Sequence, residues 1–286
     1  MPRLIINADD FGLTSGVNRA VAECNRAGAL TSATLMACSH QAAAAIALAK
    51  QIPALGVGCH VVLVDGTPAA PPDRIPSLLA PPATVGEAPH FRRTLGTFVR
   101  DLMLDRILPI HIEREATAQI SRLQHAGLRP THIDTHKHTH MFPAVLAAVC
   151  RAAAACGVPA IRNPFEPTWS LRRTPNAPLV RRLEVRALHI LQRDFAATVR
   201  RHGLRTTSGS LGVLATGSLD AATLQSILGP LPDGTWELVC HPAYVDDDLY
   251  AVNTRLTASR QVELEALRTL PGSLPSGVSL IHFGQL

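Results

Sequence analysis

The chain has 286 residues, 47% of them hydrophobic and 17% charged, a composition that excludes disorder and fits one barrel-sized domain or two ordinary ones. Its 22 prolines and 19 glycines imply many turns between short elements. The net charge of +5, an aromatic content of 4% and the lack of any helix-turn-helix or zinc-finger signature argue against nucleic acid as a partner.

The opening MPRLIINADDFG offers too short an apolar stretch for a secretory signal, and residues 27–49, though free of charge and proline, are broken by Thr31, Ser32, Thr34, Ser39, His40 and Gln41 and make no continuous apolar span. Neither export nor a membrane span is expected, which points to the cytoplasm. A strand is predicted over 4–8, then a helix over 17–26 that Thr14 or Ser15 can cap and Gly28 ends. A strand over 33–37, a helix over 41–50 and a strand over 57–62 follow. The proline-rich stretch 65–89 reads as a long loop suited to flank a substrate cleft, within an insertion at about 65–110. Beyond it come a helix over 112–125, a strand over 131–135, a helix over 143–156 and a strand over 160–163; Gly127 and Gly157 follow the two helices. The rest reads as a helix over 179–201, a strand over 208–213, a helix over 219–228, a strand over 236–240, a helix over 257–270 and a strand over 278–283.

Strands that alternate with helices from end to end predict an α/β fold on a parallel sheet. About eight of them predict one TIM-barrel-like (β/α) domain over 1–286, irregular, with seven or eight strands. The six cysteines lie in apolar segments without CxxC spacing and are expected to be reduced. An Arg-rich helical segment spans about 165–205. At 100° per residue Arg182, Arg186, Arg193 and Arg200 fall within about 40° of one another, and Leu183, Ile190, Leu191, Phe195 and Val199 occupy the remaining arc. An ordinary solvated face explains such a stripe better than a binding surface does.

The chemistry concentrates where predicted strands end. Asp9 and Asp10 close the first strand, His60 the third, HIDTHKHTH the fourth, and His241 follows the seventh. In a parallel barrel these ends share one face. Two adjacent carboxylates at an apolar strand end need a compensating cation, and imidazole with carboxylate is a usual ligand set for a catalytic divalent ion. Asp10, His60 and His136 form such a set, with Asp134 as a partner behind the ligands and His138 supporting the site. Shared parity along 132–140 leaves His138 open as the ligand in place of His136. The pair His241-Pro242 also fits a simple turn. Isolated histidines (111, 125, 189, 202 and 282) receive no function.

The segments IINADDFGLTSGVN, GVGCHVVLVDG, PTHIDTHKHTHMFP and VCHPAYVDD, in this order over nearly the whole chain, closely resemble the YdjC-like carbohydrate deacetylases, the family that includes chitooligosaccharide deacetylase. The resemblance implies a barrel-like fold, one divalent cation, magnesium or zinc, and hydrolysis of an N-acetyl group from a sugar. It implies Asp10, His60 and His136 as metal ligands, Asp9 as base, His241 as acid, and Arg162 of AIRNP as a substrate-binding residue. Ala243 stands where many relatives have glycine, a change that removes no functional group. LVDG, NPFEPTW and the Arg-rich helix look like members associated with hopanoid biosynthesis. That implies an N-acetylglucosaminyl lipid as substrate and a use for the basic helix in peripheral contact with an anionic membrane surface. A homodimer stays open.

The bound metal would lower the pKa of a water and polarise the acetyl carbonyl, Asp9 would take the water proton, and His241 would protonate the departing amine. No GxSxG elbow is present for a nucleophilic hydrolase. The remaining alternatives are another metal-dependent amidohydrolase or phosphoesterase, and a catalytically silent protein that binds a sugar or lipid.

Overall fold

In a computed structural model, which describes residues 1–84, 86–175 and 177–286, seven parallel strands form the centre. They are β1 (Arg3–Phe11), β2 (Ser32–Leu35), β3 (Gly56–Val61), β4 (Ile133–Thr135), β5 (Gly209–Leu211), β6 (Thr235–Cys240) and β7 (Ser279–Leu280). Their order is β4-β3-β2-β1-β6-β5, and β7 pairs the first residues of β1. Around them stand α1 (Ser15–Arg26), α2 (Ala42–Gln51), α3 (Leu95–Met103), α4 (Pro109–His125), α5 (Pro143–Ala155), α6 (Thr168–Arg173), α7 (Leu179–Leu188), α8 (Gln192–Arg201), α9 (Ala221–Ile227), α10 (Asp247–Tyr250) and α11 (Ala258–Thr269). The architecture is the expected TIM-barrel-like one. β1, β2, β3 and β6 are buried nearly throughout, which explains why they read as continuous apolar runs.

The ring is irregular between β4 and β5. The strand predicted over 160–163 is reduced to isolated parallel bridges, Ile133 with Ile161 and Ala160 with Arg205. Pro159 and Pro164 flank this stretch and offer no amide for a longer ladder. The segment predicted over 278–283 forms only β7 at the start of β1, and takes no full place in the ring. The stretch 65–110 carries two short 3-10 turns and α3, the latter unforeseen. Thr14 caps α1, its Oγ1 accepting from the Val17 N–H at 3.2 Å, and Gly28 takes φ +75 just beyond the helix end.

The helix predicted over 179–201 divides into α7 and α8 around a 3-10 turn at His189–Leu191. Val185, Phe195 and Val199 are buried, but Leu183 and Ile190, expected on the apolar arc, are 56% and 81% exposed. Arg182 leaves the basic stripe: its guanidinium donates to the carbonyls of Leu171, Thr174 and Ala177.

Opposite the strand ends that carry the acids, the barrel interior is filled by an aromatic pair. The neutral ring of His132 stacks on Phe283 with centroids 3.7 Å apart, and its Nε2–H donates to Asn7 Oδ1 at 3.2 Å. Burial, with Arg162 nearby, holds His132 well below the usual imidazole range. β3 passes this ring as Gly58, where an added Cβ would lie 2.5 Å from His132 Cε1. Gly58→Ala is therefore expected to lower stability by about 1–3 kcal/mol through overpacking, read as an earlier midpoint in chemical denaturation with an unchanged m-value.

Candidate active site

A strand's period of two sends neighbouring side chains to opposite faces, so Asp9 and Asp10 face one cavity only if β1 departs from that period. It does. The pairing with β2 shifts register between Ala8 and Phe11, and Asp10 adopts φ 63, a left-handed conformation that costs an aspartate roughly 1–3 kcal/mol. The bulge turns both carboxylates toward the barrel mouth.

β3 and β4 bring the imidazoles. His60 lies in register with Asp134, and its Nδ1–H donates to Asp134 Oδ1 at 2.7 Å, which leaves Nε2 toward the cavity. β4 stops at Thr135, and the next residues form a 3-10 turn in which Lys137 and His138 take φ 57 and 51. The side-face parity expected along 132–140 thus ends at His136. His140 folds inward, its Nδ1 2.7 Å from Thr135 Oγ1, and His138 lines the cavity wall with its Nδ1 buried and without a partner. Burial, chiefly, with Arg162 nearby, lowers His138 to about 3 and keeps it neutral.

Three donor atoms converge. Asp10 Oδ1 stands 3.2 Å from His136 Nδ1 and 3.5 Å from His60 Nε2, and the two nitrogens are 3.3 Å apart. Ligand atoms ~2.0–2.1 Å from an ion at tetrahedral angles would be about 3.3 Å apart. Among the described residues no donor hydrogen-bonds to the buried Asp10 Oδ1. An orphaned carboxylate oxygen between two imidazole nitrogens fits a divalent cation. A second grouping, Asp9, His60 and Asp134, fits less well, because both its carboxylates are already ion-paired with Arg162.

Asp9 is gripped from below. Arg162 Nη1 and Nη2 donate to its two oxygens at 2.7 and 2.6 Å, and Asn7 Nδ2 donates to Oδ1 at 3.0 Å. The same guanidinium reaches Asp134 Oδ2 at 2.5 Å and Glu237 Oε1 at 2.6 Å. Burial works against a charge on Asp9, but Arg162 overcomes it and holds the carboxyl far below its ordinary range. Glu237, although the same guanidinium donates to it, is lifted by burial to about 7. Arg162, expected to bind substrate, is fully buried and does not line the cavity; it holds Asp9 in place. His241, beyond β6, puts Nε2 3.9 Å from Asp9 Oδ2. Burial opposes its charge, but Glu263 and Asp9 outweigh burial and raise its pKa.

Above this floor opens a cavity of about 700 Å³. Lys137, Asp65 and Asn253 join three segments across its rim, with Lys137 Nζ and Asn253 Nδ2 each donating to Asp65 Oδ2 at 3.2 Å. Asn7, Thr34, Arg260, Glu237 and Glu263 escaped the sequence reading. Glu237 carried a signal, as a lone charge inside TWELVC, and Arg260 and Glu263 carried another, as charges on the buried stripe of a helix that also holds Leu264 and Leu267. The cysteines are free, and Cys59 and Cys240 are buried in the core, away from the cavity lining.

A family model described as YdjC-like protein matches residues 3–270. A carbohydrate deacetylase of Geobacillus stearothermophilus is 35% identical over 288 residues, which cover 99% of this chain and 98% of that protein. A chitooligosaccharide deacetylase of Salmonella newport (strain SL254) is 30% identical over 280 residues, 96% of this chain and 94% of that protein. A crystal structure from Enterococcus faecalis V583, described as of a candidate cellobiose-phosphate cleavage protein, superposes with a TM-score of 0.74 at 24% identity, covering 99% of this chain and 98% of that one. At that identity the likeness speaks for the fold alone.

Burial disfavours a charged His60, but Asp134, with Asp9 and Asp10 behind it, prevails and raises the imidazole to about 9 without metal. Two outcomes follow from the sign of this shift. The stability that the paired imidazolium contributes to the metal-free protein is complete below pH 6.5 and lost as pH rises through about 9. Over the same window a divalent ion displaces that proton, so metal affinity climbs with pH. Thermal melts of the apoprotein and calorimetric Co²⁺ titrations from pH 6 to 9 check both; pH-independent affinity would contradict the assignment of His60.

Proposed function

Because the chain belongs to the YdjC-like protein family, we propose that it is a metal-dependent hydrolase that removes the N-acetyl group from an N-acetylated amino sugar. The observation that carries this reading is the triangle of Asp10, His60 and His136 donor atoms beside Asp9 and His241 on one cavity floor. One divalent ion, magnesium or zinc, is the cofactor, and when bound it supplies a lowered pKa for a water molecule and a polarised acyl carbonyl.

The side chains account for the rest of the amide hydrolysis. Asp9, kept ionised and oriented by the Arg162 fork, accepts a proton from the attacking water; the fork gives it orientation at some loss of basicity. His241, charged through Glu263 and Asp9, delivers a proton to the amine nitrogen as the carbon–nitrogen bond breaks, so that acetate and a free amino sugar leave. Asp134 fixes the His60 ring with Nε2 toward the ion site, and His138 offers a neutral imidazole to the substrate from the wall. The proposed base and acid thus come from different strand ends, β1 and β6.

The substrate we propose more narrowly is a glycolipid, such as an N-acetylglucosaminyl hopanoid, met by a protein resting on the membrane surface in the cytoplasm. Leu95, Phe142, Phe165, Val185, Leu188 and Leu256 line the cavity, more apolar wall than a sugar alone requires. α7 contributes Arg181, Val185 and Leu188 to that wall, while Leu179, Val180 and Leu183 on it, and Ile190 just after it, are more than half exposed beside Arg186 and Arg193. An apolar surface edged with arginines suits an anionic lipid face. No helix among the described residues is long and apolar enough to cross a membrane.

Acetate release from N-acetylchitooligosaccharides and from an N-acetylglucosaminyl lipid, measured with and without chelator, tests the reaction; turnover that persists without metal defeats it. Asp9→Asn is expected to keep metal and lose roughly 10²–10⁴ in kcat; loss of metal instead would exchange the functions given to the two aspartates.

For the membrane contact, replacement of Leu183 and Ile190 by Glu and of Arg186 and Arg193 by Gln should abolish sedimentation with anionic vesicles and leave hydrolysis of short soluble sugars intact. Equal sedimentation of the variant and the parent protein would dispose of this contact.

A further inference from the structure

α11 lies outside the ring of strands, yet two of its side chains, one turn apart, reach the cavity floor. Arg260 and Glu263 are each 1% exposed. Arg260 Nη2 donates to Asp10 Oδ2 at 2.5 Å, and its Nε donates to the Leu256 carbonyl at 2.9 Å. Glu263 Oε2 accepts the backbone N–H of His241 at 2.6 Å and faces the Nδ1 of the same residue at 3.7 Å.

Residues three apart on a helix are neighbours, and an Arg and a Glu so placed ordinarily pair with each other. Among the described residues these two form no mutual ion pair. Each directs its charge to a different member of the site, and each keeps one buried atom, Arg260 Nη1 and Glu263 Oε1, without a partner. Burial of a guanidinium and a carboxylate is costly unless the groups they meet return that cost. Here those groups are the strained Asp10, which Arg260 meets at 2.5 Å, and the His241 ring, whose Nδ1 side faces Glu263 while Asp9 stands 3.9 Å from its Nε2.

We propose that Arg260 and Glu263 are positioning residues of this site. Arg260 engages Asp10 Oδ2 and so keeps Oδ1 turned to His60 and His136; Glu263 clamps His241 through its main chain and Nδ1, which aims Nε2 toward Asp9. The first two turns of α11 are then as much a part of the machinery as the strand ends. The proposal rests on Asp10 as ligand and His241 as acid.

The test uses the full chain, with Arg260→Gln, Arg260→Lys and Glu263→Gln compared by circular-dichroism melting, Co²⁺ titration with its visible d–d spectrum, and kcat and KM on an N-acetylchitooligosaccharide. Arg260→Gln is expected to lose ~10–100-fold in Co²⁺ affinity and to change the spectrum. Arg260→Lys, which keeps charge but not the planar fork, should fall between, and it stands in for Arg260→Gln if that variant melts early. Glu263→Gln should bind Co²⁺ with the parent affinity and spectrum while kcat drops about tenfold or more at constant KM. Parent-like Co²⁺ binding in both folded Arg260 variants, or parent-like kcat in Glu263→Gln, overturns the proposal. If the parent protein binds Co²⁺ but releases no acetate, the deacetylase reading fails by itself, and the Co²⁺ arm still decides for or against Arg260.

Discussion

Everything at the barrel mouth depends on one buried guanidinium. Arg162 has no exposed surface and touches Asp9, Asp134 and Glu237. Three carboxylates gathered in an apolar interior would repel one another and draw protons, and a protonated Asp9 or Asp134 could neither accept a proton from water nor hold an imidazole. A planar fork with five donors can serve several carboxylates at once; an ammonium in the same place would meet fewer of them. The strain visible in Glu237, whose acidity burial weakens to about 7, marks the limit of what one cation can compensate.

From that anchor the site assembles outward in two layers. Arg162 and Asp134 set the deeper layer, on which His60 and Asp9 stand; Arg260 and Glu263 approach from the helical shell and meet Asp10 and His241. The cavity above mixes polar groups such as Asp9, His60 and His241 with apolar side chains such as Phe142, Phe165 and Leu188. A substrate that joins a polar reacting group to an apolar body suits such a lining, which is the physical content of the proposed glycolipid substrate.

Much of this was legible in the chain alone, because charged residues at the ends of apolar runs are costly and hence informative. Asp9, Asp10, His60 and His136 drew attention for that reason, and parallel strands do bring them to one face. The geometry of Asp10 was not legible: alternation predicts that it faces away from Asp9, and no residue in INADDFG announces a bulge, since the left-handed position holds an aspartate where glycine is the usual signal. The placing of His136 beside Asp10 and His60, with His138 on the cavity wall, was likewise hidden, because it turns on a left-handed pair, Lys137 and His138, that ends the extended backbone. Arg162 was noticed but given the wrong neighbour; sequence order says nothing of depth. In the 179–201 segment, helical periodicity assigned Leu183 and Ile190 to the core, and the division of the helix leaves them outside it.

The bulge in β1 also makes the length of that strand matter as much as its composition. Six successive residues, Arg3 to Ala8, are locked in register with β6, and the extra residue is absorbed only beyond Ala8. A one-residue deletion at Ile5 or Ile6 would slip this ladder, exchange the inward and outward faces, and turn Asn7 and Asp9 to the greasy side with hardly any change in amino-acid content. The spacing from the first core residue to the aspartate pair is a ruler that the barrel cannot stretch.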